Sequence, residues 1–103
     1  MPFFEISTTK YEEDIKLIQV ALTKMEAICN IATGFKFGES TSRFGWTFFK
    51  IFLDQELYVG IEDEFSDMIK KCKGYKPDEK FTNFLSQYFE SKGCNVRVKM
   101  VND

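Results

Sequence analysis

Apolar residues recur along this chain with different spacings, and each spacing predicts one kind of secondary structure. Between residues 11 and 31 they recur at steps of three and four, which is the period of an α-helix. Between residues 46 and 53 they are nearly continuous and rich in aromatic rings, which is typical of a buried strand. The chain therefore combines helices with strands.

The first third of the chain predicts a short strand at residues 2–7 and then the long helix. Thr9 and Glu12 have the spacing of a capping box, in which each side chain bonds a backbone amide at the start of the helix. Gly34 is expected just after the end of this helix, where a left-handed residue commonly stops it. So many apolar positions surround this helix that we expect it to be covered on more than one side.

A β-rich segment is predicted after the helix. Phe35 and Phe37 alternate with small or charged residues, which favours a short strand, whereas residues 38–42 have the composition of a polar loop.

The strongest β pattern covers residues 46–53 and 57–61, and we predict that these two runs pair as a hairpin. Residues 54–55 would form its turn, although Asp-Gln is not a favoured pair for a two-residue turn. Both faces of the hairpin are largely apolar, so we expect both to be covered.

The last third of the chain predicts two helices and a final strand. Acidic residues at 62–64 begin the first of these helices and three lysines precede Gly74 at its end, which matches the helix dipole. Pro77 is expected at the first position of the next helix, which Gly93 ends. Residues 96–100 then alternate apolar with basic side chains, as in a strand with one solvated face.

These elements predict one α+β domain spanning residues 1–103. The expected order is (β)αββ(β)ααβ, in which the strands in parentheses are optional. The simplest architecture is a small, mostly antiparallel sheet of three to five strands packed by three helices. Twelve Phe, four Tyr and one Trp give this short chain a large core.

The composition argues against a catalytic site. The chain has no histidine, so it lacks the commonest general base and the commonest metal ligand. Its three cysteines are far apart and form neither a disulfide framework nor a zinc site, and we expect all three to be buried. No phosphate-binding glycine motif is present. We assign no catalytic residue, no metal ligand and no cofactor.

The sequence favours a protein partner in the cytoplasm. It has neither a basic leader nor a long apolar run, so we expect no signal peptide, no membrane span and a cytoplasmic location. The net charge of −2 argues against nucleic acid as the main partner, because such proteins usually carry a basic excess.

An acidic stretch is the candidate binding site. Residues 54–67 contain six acids and no Lys or Arg. Some of these acids have a structural purpose at the start of a helix, and all of them could be ordinary solvated charge. As a binding surface, the stretch would use an aromatic anchor beside the acids. The candidate partner-binding residues are Asp54, Glu56, Glu62, Asp63, Glu64, Asp67, Trp46 and Tyr58.

These features predict a small non-catalytic inhibitor that binds another protein. An immunity or antitoxin-like protein, or a phage-type inhibitor, would use an acidic surface to neutralise a toxin or nuclease with a basic active site. One alternative is an assembly domain that forms a homodimer through an apolar sheet. Another is a metal-dependent nuclease, or a degenerate remnant of one, in which Glu56 and Glu62 flank a strand and Lys50 lies on its partner.

Overall fold

The computed structural model describes residues 3–101, which form one four-stranded sheet and four helices. The strands are β1 (Phe3–Thr8), β2 (Phe35–Arg43), β3 (Trp46–Leu53) and β4 (Arg97–Val101). The helices are α1 (Tyr11–Cys29), α2 (Gln55–Glu64), α3 (Ser66–Lys70) and α4 (Pro77–Ser91). The predicted α+β class and element order are confirmed. Pro2, predicted as the start of the first strand, lies outside the described residues.

All neighbouring strands are antiparallel and follow the spatial order β2-β3-β1-β4. The register pairs Phe4 of β1 with Ile51 of β3 and with Met100 of β4. The two central strands are therefore the first and third in the chain, and α1 and α4 belong to the crossovers that reach the two edges. This is the connectivity of a split βαβ motif.

The core lies on one face of the sheet only. Along β1 and β3, alternate side chains are buried, and those between them are half-buried or exposed. Phe4 and Ile6 of β1 join Phe49 and Ile51 of β3 on the inner face, against buried residues of the helices such as Leu22. The expectation that both faces of residues 46–53 are covered is wrong, because the helices of residues 3–101 pack on this inner face.

Residues 57–61 are the main secondary-structure error of the sequence reasoning. They were predicted to be a strand but lie in the middle of α2. Leu57 and Ile61 are one helical turn apart and both fully buried, so the helix places both side chains in the core. The hairpin partner of β3 is instead β2, and the two strands meet at a turn in which Phe44 and Gly45 have positive φ angles.

Residues 38–42, predicted as a polar loop, belong to the edge strand β2. The register with β3 shifts between Phe37 and Ser40, as in a β-bulge. A Cβ atom on Gly38 would lie 2.7 Å from the Phe52 ring, so the absence of a side chain there lets that ring lie over the strand. Pairing with β3 therefore makes a strand of a segment whose composition is typical of a loop.

The ends of the helices also differ from the predictions. Lys10 is the N-cap of α1 and no side chain caps it, so the predicted capping box of Thr9 and Glu12 is wrong. The left-handed residue after α1 is Asn30, not Gly34. The predicted helix from residue 62 onward is divided between α2 and α3, with Phe65 in a non-helical conformation between them. Pro77 begins α4 as predicted.

No helix within residues 3–101 is long and apolar enough to cross a membrane.

Candidate functional site

Helix α2 is fixed to the end of α1 through the backbone of Gly34. The Gly34 amide donates to the Glu26 carboxylate at 2.6 Å, and the Asp54 amide donates to the Gly34 carbonyl at 2.8 Å. Together with the burial of Leu57 and Ile61, these bonds hold the start of α2 against the segment after α1. The first two turns of α2 therefore lie beside the C-terminal end of α1.

A groove of about 920 Å³ lies between α2 and the end of α1 with the segment that follows it. Cys29, Ile31, Val59 and Gly60 give it apolar or uncharged walls. A Cβ on Gly60 would lie 3.1 Å from the Cys29 Sγ, so the missing side chain lets α2 approach α1 closely. The groove is open to solvent and combines these residues with acids, a mixture of apolar and polar groups that is usual for a protein-binding surface.

The acidic stretch predicted from sequence is divided between different surfaces. Helical spacing places Glu56, Gly60 and Asp63 on one face of α2, and both acids line the groove together with Asp54. Glu64 is exposed, and its negative charge is close enough to Cys29 to help raise the pKa of that thiol. Asp67 is exposed on α3.

Glu62 points away from the groove, towards α4. It is only partly exposed, and burial together with Asp63 and Asp78 raises the pKa of its carboxyl. Tyr58, one helical turn before it, donates a long hydrogen bond of 3.4 Å to the Asp78 carboxylate. Its ring stacks on Phe81 at a centroid distance of 4.2 Å. Tyr58 therefore anchors α2 to α4 and does not line the groove.

We expect Tyr58→Phe to protect the protein against alkaline unfolding. Burial and then the carboxylates of Asp78 and Glu62 raise the pKa of Tyr58 from 10.0 to about 12. The folded state therefore holds the phenolic proton more tightly than the unfolded state, and the resulting stability is lost as pH rises from 10 to about 12. The variant keeps the stacked ring and lacks the titrating group, so its stability should fall less across that range.

Urea unfolding at pH 8 and at stepwise higher pH measures this effect. At pH 8 the variant should lie within about 0.5 kcal/mol of the wild type, because the lost hydrogen bond is long and partly exposed. Tyr75→Phe, at a fully exposed tyrosine, is the matched control. An identical pH dependence for Tyr58→Phe and wild type would contradict the buried environment of Tyr58.

Trp46 does not lie beside the acidic stretch. It begins β3, whereas Asp54 follows the other end of that strand, roughly 25 Å away at the usual rise per residue. Its indole is on the outer face of the sheet, under the Arg97 guanidinium at 5.2 Å. Neither aromatic side chain proposed as an anchor thus lines the groove.

The cysteines occupy different environments. Cys72 and Cys94 are buried as predicted, and burial together with Asp14 raises the pKa of Cys94 to about 11. Cys29 is half-buried in the wall of the groove, where burial and the carboxylates of Glu64 and Asp63 raise the pKa of its thiol. The expectation that all three are buried is therefore wrong for Cys29, the last residue of α1.

No group of three or more acidic, cysteine or histidine side chains within residues 3–101 is arranged to hold a metal ion. The residues considered for a nuclease lie on separate surfaces: Glu56 lines the groove, Glu62 faces α4, and Lys50 is on the outer face of β3.

A second surface is formed by the strand order of the sheet. The outer face of the sheet, which we call the open face, carries several aromatic rings between basic side chains. Its aromatic residues are Phe3, Trp46, Phe48 and Phe52, and its basic residues are Lys36, Arg43, Lys50, Arg97 and Lys99. The alternation of Lys and Arg with apolar residues in β4 is evident in the sequence, but only the sheet order places it near the aromatic residues of β3.

Comparison with known proteins finds no family model, no curated protein and no solved structure that matches this chain.

Proposed function

We propose that this protein is a non-catalytic binding protein that receives a basic protein partner in the groove between α1 and α2. The observation that supports this most strongly is that Asp54, Glu56 and Asp63 line one open groove together with the apolar side chains of Ile31 and Val59. A basic side chain of the partner would meet these carboxylates while its apolar stem contacts the neighbouring apolar side chains. Such an arrangement gives both electrostatic steering and apolar burial.

The partner class that fits best is a toxin or enzyme that acts on nucleic acid. The active site of such a protein is usually basic, because it must hold a phosphate backbone. A small acidic protein that covers this site would act as an inhibitor, in the manner of an immunity protein, an antitoxin or a phage-type inhibitor.

Charge reversal at two positions tests the groove. Glu56→Lys and Asp67→Lys change the net charge equally, but only Glu56 lines the groove. We expect Glu56→Lys to weaken partner binding by roughly 30-fold or more, because a charge covered at an interface contributes about 2 kcal/mol or more. Asp67→Lys should cost no more than about 5-fold, as exposed charges do.

The wild type and the two variants serve as baits for affinity capture from the source cells, followed by binding kinetics at two ionic strengths. A partner lost with Glu56→Lys and retained with Asp67→Lys supports the proposal, and its association should slow as salt is raised. Equal effects of the two variants would mean that the acidic groups act only through the overall field of the protein.

The non-catalytic part of the proposal needs a separate test. The purified protein is incubated with RNA, DNA and nucleotides in the presence of Mg²⁺ or Mn²⁺, and we expect no turnover. Turnover that disappears in Glu56→Ala or Glu62→Ala would favour the nuclease alternative.

The homodimer alternative has less support. A dimer formed through the open face would bring the same five basic side chains of two copies together, because a two-fold interface presents the same patch on both sides. Like charges at such short range disfavour this contact.

A further inference from the structure

The open face concentrates positive charge in a chain that is acidic as a whole. The complete sequence has 14 basic and 16 acidic residues, yet among residues 3–101 five basic side chains share this face with Glu5, and with Glu39 near its edge. Glu5 lies opposite Lys50 on one neighbouring strand and Lys99 on the other. The face is therefore complementary to a polyanion.

The aromatic residues of the open face form a row along β3. Trp46 and Phe48 are two residues apart, so their side chains leave the same side of the strand about 7 Å from each other. Phe52 continues the row after Lys50, and the centroid of its ring lies 5.3 Å from that of Phe3 on β1. Because all four aromatic residues are only partly buried, their outer surfaces are accessible.

Basic side chains lie directly over three of these rings. The Nζ atom of Lys36 lies 5.6 Å from the centroid of the Phe52 ring, and that of Lys50 lies 5.1 Å from the centroid of Phe3. The guanidinium carbon of Arg97 lies 5.2 Å from the centroid of the Trp46 ring. A nucleobase that stacks on an aromatic ring gains more free energy than an exposed cation–π contact supplies. A base can therefore displace the cation, which is then free to pair with the neighbouring phosphate.

We propose that the open face binds single-stranded nucleic acid, with bases stacked on Trp46 and Phe48 and phosphates held by the surrounding Lys and Arg side chains. Unpaired bases offer the flat surfaces that these rings can stack on, whereas the bases of a duplex are already stacked. The expectation against nucleic acid rested on the net charge, which averages the open face with the acidic groove.

Trp46 provides a direct measurement because it is the only tryptophan of the chain. Its fluorescence is followed while a 12-residue oligouridylate, the matching oligothymidylate or a duplex of the same length is added to the full-length protein. We expect quenching by the single strands and weaker binding of the duplex. The affinity should fall as salt is raised, with a log–log slope of up to about −3.5 if all five basic groups meet phosphates.

Substitutions then separate stacking from charge. Phe48→Ala should weaken binding by roughly 5- to 150-fold, which corresponds to the loss of one stacked base. Lys50→Gln should reduce the magnitude of the salt slope by about 0.7. The matched controls are Tyr75→Ala and Lys71→Gln, which change an exposed aromatic and an exposed lysine elsewhere and should alter neither quantity.

A variant with higher affinity provides a test that loss of folding cannot explain. Glu5→Gln removes the acid between Lys50 and Lys99 and should tighten binding roughly threefold at low salt, as expected for one charge a few ångströms from a phosphate. Circular dichroism and thermal unfolding confirm that each variant is folded.

Several results would overturn the proposal. One is the absence of Trp46 quenching by either single strand at low salt. Another is binding of poly(glutamate) as tight as that of the oligonucleotides and unaffected by Phe48→Ala, which would make the face a general polyanion surface. A third is tighter binding of the duplex than of the single strands.

Discussion

Replacing Phe81 by alanine is expected to destabilise the protein by about 3–5 kcal/mol, the usual loss when a buried phenylalanine is truncated. Phe81 is fully buried between two other aromatic rings. The centroid of its ring lies 5.8 Å from that of Phe4 on β1 and 4.2 Å from that of Tyr58 on α2. One side chain of α4 thus holds both the sheet and α2. Because a domain of this size has a total stability of about 5–15 kcal/mol, the variant should lose a large part of its stability.

Urea unfolding followed by circular dichroism measures this loss. Phe81→Leu retains part of the buried volume and should lose less stability than Phe81→Ala. Tyr75→Ala, which removes a fully exposed ring two residues before α4, should leave the unfolding free energy within about 0.5 kcal/mol of the wild type. If Phe81→Ala cost less than about 1 kcal/mol, the ring would not be the contact that joins α4, α2 and the sheet.

Gly34→Ala is expected to destabilise the protein by about 1–3 kcal/mol, as overpacking of a core usually does. An added Cβ would lie 2.7 Å from the Leu57 Cβ and 2.8 Å from its Cδ2. The Leu57 Cβ is attached to the backbone of α2 and cannot swing away, so relief requires movement of the helix. The hydrogen bonds that join Gly34 to Glu26 and Asp54 would then be strained.

The neighbouring variant Thr33→Ala is the control, because that side chain is exposed. It should unfold within about 0.5 kcal/mol of the wild type. Since the same contact positions α2 against α1, Gly34→Ala should also weaken binding of any partner in the groove. A variant as stable as the wild type would show that α2 can shift freely at this point.

The candidate groove was only partly predictable. The run of acids was evident in the sequence, and three of its members do line the groove. Their separation from Glu62 follows from the helical form of residues 55–64, in which each residue turns by about 100° from the one before it. A strand at residues 57–61 would have grouped these side chains differently. The wrong prediction of a strand there therefore also gave a wrong grouping of the acids in the candidate site.

The sequence by itself determined the α+β class, the long first helix, strand β3 and the helix that begins at Pro77. These elements have strong local patterns: a sustained helical period, a continuous aromatic run and a proline in the first helical turn. In each case the local preference and the tertiary environment favour the same conformation, so the local pattern is sufficient.

Tertiary contacts decided the rest. The residues of 57–61 have strong β propensity, but the helix is the form that buries both Leu57 and Ile61 against the core. Residues 38–42 became a strand because β3 offers unpaired backbone groups at that edge of the sheet. The open face exists only because the order β2-β3-β1-β4 brings aromatic and basic side chains from distant parts of the chain onto one surface, an arrangement that pairing between distant strands, not local sequence, determines.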